Sequence, residues 1–150
     1  MGWLSNLFGM RTEARPTVKL SLEEKRKLNS YLDIIFQTLN VLKKSDLIGA
    51  PAIKKIDDFY KQCNNFVGIL RRYCGDAFFE TRQLKQDLLQ VEEAFADLRP
   101  YLQKKLDERS KHEMMMDYQI DKEKLESLDK ALKSLRVTLH PYIFISSEEQ

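Results

Sequence analysis

Four stretches of this chain place apolar residues at alternating spacings of three and four. That spacing marks one buried face of an α-helix. In the first, Leu28, Leu32, Ile35, Leu39 and Leu42 predict a helix from about Ser21 to Lys44. Ser21-Leu22-Glu23-Glu24 reads as a capping box at its start, and Lys43 and Lys44 suit its negative C-terminal end. Tyr31, Ile34 and Phe36 widen the face, which calls for more than one neighbour. Pro51 suits the first turn of a second helix that runs to about Cys74. One seam of that helix is Ile56, Tyr60, Cys63, Val67, Leu70 and Cys74. Ile53, Phe59, Phe66, Ile69 and Tyr73 form another beside it. Gly75 is its stop signal.

A third seam is Leu84, Leu88, Val91, Phe95, Leu98 and Leu102, with Asp76 as the expected cap. Its spacing passes through Pro100 unchanged. The expectation is therefore a kink at 96–100 with the helix continuing; a new helix starting at Pro100 is the alternative. Between Asp107 and Lys124 the pattern fails. Either the helices project past the bundle there or a turn lies near 117–121. Periodicity returns with Leu125, Leu128, Leu132, Leu135 and Leu139. Glu126/Lys130 and Asp129/Lys133 are spaced as exposed i,i+4 pairs, and His140-Pro141 is expected to end the helix. Short connections between four such helices predict an all-α, antiparallel four-helix bundle. The divisions are an N-terminal segment and linker over 1–19, the bundle over 20–141 and a tail over 142–150.

The first ten residues are a different kind of object. Trp3, Leu4, Leu7, Phe8 and Met10 fall on one arc of a helical projection, without a single charge among residues 1–10, and Arg11 and Arg15 follow. This predicts a short amphipathic N-terminal helix of the kind that lies in a membrane interface. Burying four large side chains yields roughly 6–12 kcal/mol. Ordering eight residues costs roughly 8–16 kcal/mol. Such a helix tips a balance and does not hold a protein on a bilayer alone. Its target is a lipid surface, a protein partner, a sister subunit or its own bundle; the remaining alternative is that it simply frays. Gly2 would suit N-myristoylation, but Asn6 stands where that pattern wants Ser or Thr.

Composition narrows the classes. In 150 residues, 43% are hydrophobic and 32% charged, with five Gly and four Pro. That balance fits one folded domain and leaves few turns for an all-β fold. The net charge of +2 comes from 25 basic and 23 acidic residues, with no basic stripe, so no nucleic-acid partner is expected. Cys63 and Cys74 are about 16 Å apart along one helix and cannot bridge there, which suits a reducing cytoplasm. No apolar run reaches the length of a membrane span. A secretory signal is not expected either, because the positive charge follows the apolar run.

Candidate chemistry is sparse. Glu108 and His112 share a helical face and read as a surface ion pair; the carboxylate–histidine set of a di-iron bundle is missing. No nucleophile motif or phosphate loop occurs. No catalytic residue, metal, cofactor or small-molecule substrate is therefore expected. Met114, Met115 and Met116 cannot share one stripe, and they suit an adaptable binding surface or a covered helix corner. With Tyr142 and Phe144 they form a possible secondary interaction surface. The tail from Tyr142 to Ile145 would add a strand to a partner's sheet or lie over the bundle end. The functional expectation is a non-enzymatic cytoplasmic adapter, peripheral at the inner face of a membrane, that docks through Trp3, Leu4, Leu7, Phe8, Met10, Arg11 and Arg15. The alternatives are an inhibitor, immunity or assembly bundle completed by a partner or sister chain, and a small-ligand or metal-binding bundle.

Overall fold

Helix α1, Leu22–Lys43, starts where its capping box places it. The Ser21 N–H donates to Glu24 Oε1 at 2.9 Å, and the Glu24 N–H donates to Ser21 Oγ at 3.1 Å. Two of the donors that a helix start leaves open are thereby satisfied. Leu28, Leu32, Ile35, Leu39 and Leu42 are all buried. The widened face is covered only in part: the Arg136 guanidinium lies 4.2 Å above the Phe36 ring, while Tyr31 and Ile34 are exposed.

The structure is a computed structural model that describes residues 18–149. The amphipathic helix expected from Trp3, Leu4, Leu7, Phe8 and Met10, with Arg11 and Arg15, lies outside the described residues. Helix α2 is Ala50–Cys74 and α3 is the short Asp76–Phe79. Helix α4 is Arg82–Leu98, α5 is Glu108–Met116 and α6 is Lys122–Ile143. The four long helices, α1, α2, α4 and α6, run alternately up and down in an antiparallel four-helix bundle. One pole gathers the start of α1 and the end of α6, where the Asn29 amide donates to the Ile143 carbonyl at 2.9 Å. The other gathers the end of α1 and the start of α6, where Lys122 Nζ donates to the Leu42 and Ser45 carbonyls at 2.9 and 2.6 Å. That ammonium joins the Ser45 N–H at the Leu42 carbonyl and caps the Ser45 carbonyl just beyond the end of α1, where a cation is favoured.

Several expectations need correction. Asp76 does not cap the long third helix. It opens α3 and pairs with Arg71 at 3.3 Å, and α4 begins after Thr81. The reason is the adjacent pair Phe78-Phe79. Neighbouring residues on a continuous helix point about 100° apart, and both of these are buried. The break at 80–81 lets Phe78 pack on Tyr142 with ring centroids 4.7 Å apart, while Phe79 lies under the Arg71 guanidinium.

Nor does the third helix continue through Pro100. Helix α4 ends at Leu98, Arg99 leaves the helical region at φ −120° and ψ 52°, and Pro100–Leu102 forms one 3-10 turn. Residues before proline are pushed out of the α region. Leu102, the expected last seam residue, is consequently exposed, whereas Tyr101 is buried. Of the two readings for 107–124, the turn is realised: Asp117 ends α5, and the Asp121 carboxylate accepts from the Glu123 and Lys124 amides to start α6. Pro141 does not end α6, which runs to Ile143. The proline removes the donor for the carbonyl of Val137, a residue 73% exposed, where water can take its place. Tyr142 and Ile143 therefore belong to the bundle and not to the tail.

Gly49 shapes the pole where α1 ends and α6 starts. At φ 73° and ψ −141° it occupies backbone space that L side chains rarely adopt. A Cβ there would lie 2.9 Å from the Met116 carbonyl oxygen. The Gly49 N–H donates to the Tyr118 carbonyl at 2.8 Å. Glycine thus lets the end of α5 close directly onto the start of α2.

Candidate functional site

That approach borders a groove of about 560 Å³ between α2 and α5. Ala50, Ile53, Met115 and Met116 give it an apolar lining. Met116 is 62% exposed, while Met114 and Met115 are half-buried against the core. Both sequence readings of the methionine run are thus represented: a covered corner on one side and an open surface on the other.

Charged groups form the rim. Lys54 Nζ donates to Asp58 Oδ2 at 2.8 Å, and that ammonium holds the Asp58 carboxyl below its usual range. His112 and Lys61 also face the groove. His112 does not pair with Glu108 as expected; the ion pair along α5 is Arg109 with Glu113, at 3.3 Å. Asp57 is held from below, accepting from Arg99 Nε at 2.9 Å and from the Tyr101 hydroxyl at 2.8 Å. Arg99 also stacks over the Tyr60 ring at 4.2 Å. Burial pushes the Tyr118 phenol up to about 12, and its hydroxyl donates to the Leu98 carbonyl at 2.6 Å. These contacts tie the α2 wall of the groove to the residues that end α4.

Two buried carboxylates lie elsewhere. Asp87 on α4 is 1% exposed. It accepts from Gln83 Nε2 at 3.0 Å, from Ser134 Oγ at 2.8 Å and from the Thr138 hydroxyl. Asp129 was expected on the exposed side but is buried. It accepts from Lys43 Nζ at 2.9 Å and Lys133 Nζ at 3.0 Å. Glu126, expected to pair with Lys130, pairs with Lys43 at 3.2 Å. Both changes follow from α1 lying against α6, which brings Lys43 within reach. Neither carboxylate opens onto the groove.

Cys63 and Cys74 are free thiols, pushed up by burial to about 12 and about 11. They are therefore protonated at neutral pH. Among the described residues no three His, Cys, Asp or Glu side chains gather to hold a metal ion. No helix among them is long and apolar enough to cross a membrane.

The structure does not bring together the five residues expected as a secondary surface. Met114, Met115 and Met116 lie at the pole where α2 starts, and Tyr142 and Phe144 at the pole where α6 ends. Tyr142 packs on Phe78, and Phe144 is half exposed beside His140. The tail beyond Phe144 turns back, and Glu149 pairs with Lys25 at 2.9 Å. Of the two tail readings, this is the one in which it lies over the bundle end. Sequence reasoning missed Ala50, Ile53, Lys54 and Lys61 as groove residues. The available signal was the small-residue run Gly49-Ala50 opposite a broken heptad.

Comparison with known proteins gives no match to a protein-family model, to a curated protein or to a solved structure.

Proposed function

We propose that this protein is a non-enzymatic adapter bundle that docks on a membrane surface, or on a membrane-bound assembly, through its first fifteen residues. The observation that carries this reading is the uncharged apolar arc Trp3, Leu4, Leu7, Phe8 and Met10 followed by Arg11 and Arg15. Such a segment combines an insertable face with cations for lipid phosphates. The bundle supports the reading by closing one continuous core from residues 18–149, with no buried side-chain polar atom left unpaired among them. The setting is the cytoplasmic face of a membrane, where anionic lipid is abundant. Co-sedimentation with anionic vesicles tests it. The intact chain pellets and a chain lacking residues 1–15 does not; equal pelleting of the two overturns the membrane reading.

A second reading is an inhibitor, immunity or assembly bundle that covers its partner with the outer face of α1. Tyr31, Ile34 and Val41 lie on that face, 39%, 48% and 60% exposed. Light scattering after gel filtration, with and without Ile34→Lys, tests self-association through it. A strict monomer that captures no partner argues against this reading.

A further inference from the structure

The groove between α2 and α5 and the N-terminal apolar arc match in chemistry, in length and in reach. We infer that the first ten residues of this same chain occupy that groove, and that a membrane or partner must draw them out. The inference rests on the reading above, in which these residues are the docking element, and supplies its regulation.

The chemistry is complementary. The groove offers Ala50, Ile53, Met115 and Met116, and the arc offers Trp3, Leu4, Leu7 and Phe8. Thioethers are unbranched and polarisable, so they adapt to an aromatic partner of irregular shape. The apolar positions of α1 at Tyr31, Ile34 and Val41 are exposed too, but none of them lines this groove.

The length fits. Along α2, Ala50 and Lys61 bound the groove. They are about 16 Å apart at 1.5 Å per residue, and ten helical residues span about 15 Å. The reach fits as well. Chain direction puts Val18 at the pole where α2 ends. From Cys74 back down α2, Lys61 is about 20 Å away and Ala50 about 36 Å. Residues 11–17, if extended, cover about 23 Å. A ten-residue helix beyond them would run from about 23 to about 38 Å, which is the stretch the groove occupies. The near-balance between apolar burial and ordering cost makes such a docked state releasable.

Trp3 is the single tryptophan of the chain, so it reports its own environment. In dilute lipid-free protein, the inference expects blue-shifted Trp3 emission and several-fold less acrylamide quenching than in Met116→Gln. In spectra of methyl-labelled methionine, Trp3→Ser moves the Met115 and Met116 resonances and leaves Met114 in place. Trp3 emission and quenching like free tryptophan, with unmoved methionine resonances, overturns it. Protection that disappears on dilution assigns the groove to a second copy and also overturns it. Anionic vesicles separate the two proposals. A segment docked nine-tenths of the time gives Met116→Gln about tenfold tighter vesicle binding. Protected Trp3 with no pelleting of either protein removes the membrane reading and keeps the groove. Exposed Trp3, with the parent and Met116→Gln pelleting equally and the chain lacking residues 1–15 left in solution, removes the groove and keeps the membrane reading.

Discussion

Asp87 on α4 and Ser134 on α6 meet inside the bundle, where the serine hydroxyl donates to the aspartate Oδ1 at 2.8 Å. Gln83 shares that oxygen and Thr138 takes the other, so the hydrogen-bond donors identified at this buried carboxylate are all neutral. The arrangement fixes how α4 sits along α6, because a shift of one turn would take the buried Asp87 carboxylate away from the half-buried Ser134 and Thr138 hydroxyls. A buried polar group stranded in this way costs about 1–3 kcal/mol. Asp87→Ala is therefore expected to lower the unfolding free energy by about 1–3 kcal/mol. Asp87→Asn keeps an acceptor for Ser134 and is expected to cost about half as much. Urea unfolding followed by circular dichroism measures both; an Asp87→Ala protein as stable as the parent would contradict this account.

Asp129 gives the bundle an acid-sensitive clasp. Burial alone would raise its pKa, but hydrogen bonds and charge from Lys43 and Lys133 outweigh it and hold the carboxyl below its ordinary 3.8. A depressed carboxylate contributes stability above its unfolded pKa and loses it as pH falls through the folded one. Stability is thus expected to decline below about pH 4. The decline should be shallower in Asp129→Asn. Asp58, also held low, is exposed and acts weakly, while Glu149, held low by Lys25, is half-buried and adds to the same acid limb. Urea midpoints measured at several pH values from 7 down to 3 test it, and parallel acid limbs in the two proteins would exclude the clasp.

Two glycines make a matched comparison. Gly49 and Gly75 both have positive φ, 73° and 86°. An added Cβ at Gly75 meets open space, whereas at Gly49 it strikes the Met116 carbonyl oxygen. Strained backbone of this sort costs about 1–3 kcal/mol per residue. Gly75→Ala is expected to show that cost alone. Gly49→Ala should exceed it and speed proteolysis within 105–119, since α5 must move away. Equal thermal shifts with unchanged cleavage would rule out the close approach.

Tyr101 supports Asp57 through one hydrogen bond and is itself buried. Tyr101→Phe is expected to cost about 1 kcal/mol, the net worth of such a bond. Arg99→Ala also removes the ion pair and the stacking on Tyr60, so it should cost more. A double-mutant cycle between Arg99 and Tyr101 should show coupling, because both act on the same Asp57 oxygen.

The helical seams were legible because burial repeats: Leu28 to Leu42 and Leu125 to Leu139 occupy the positions their spacing implies. The ends were harder to read. Leu88 has the seam spacing, yet its neighbour Asp87 is the buried residue. The burial of Asp87 depends on Ser134 and Thr138, 47 and 51 positions away. Asp129 misled in the same way, since Lys43 lies in a different helix. Phe78-Phe79 and Pro100 broke helices that periodicity alone would continue. The groove showed in sequence only as the small pair Gly49-Ala50, because it arises from Gly49 meeting Met116, a contact between two segments that each look irregular.

The alternation of the four long helices has a consequence for how the chain can be cut. Ser21 and Ile143 stand at the same pole, and the turn from Ser146 to Glu149 already reaches back to Lys25. A short polar linker should therefore join the two ends of the bundle, and new termini opened between Gln103 and Asp107 should leave every long helix whole. The bundle is in this sense a ring of helices, and the order in which the chain visits them is separable from the shape they make.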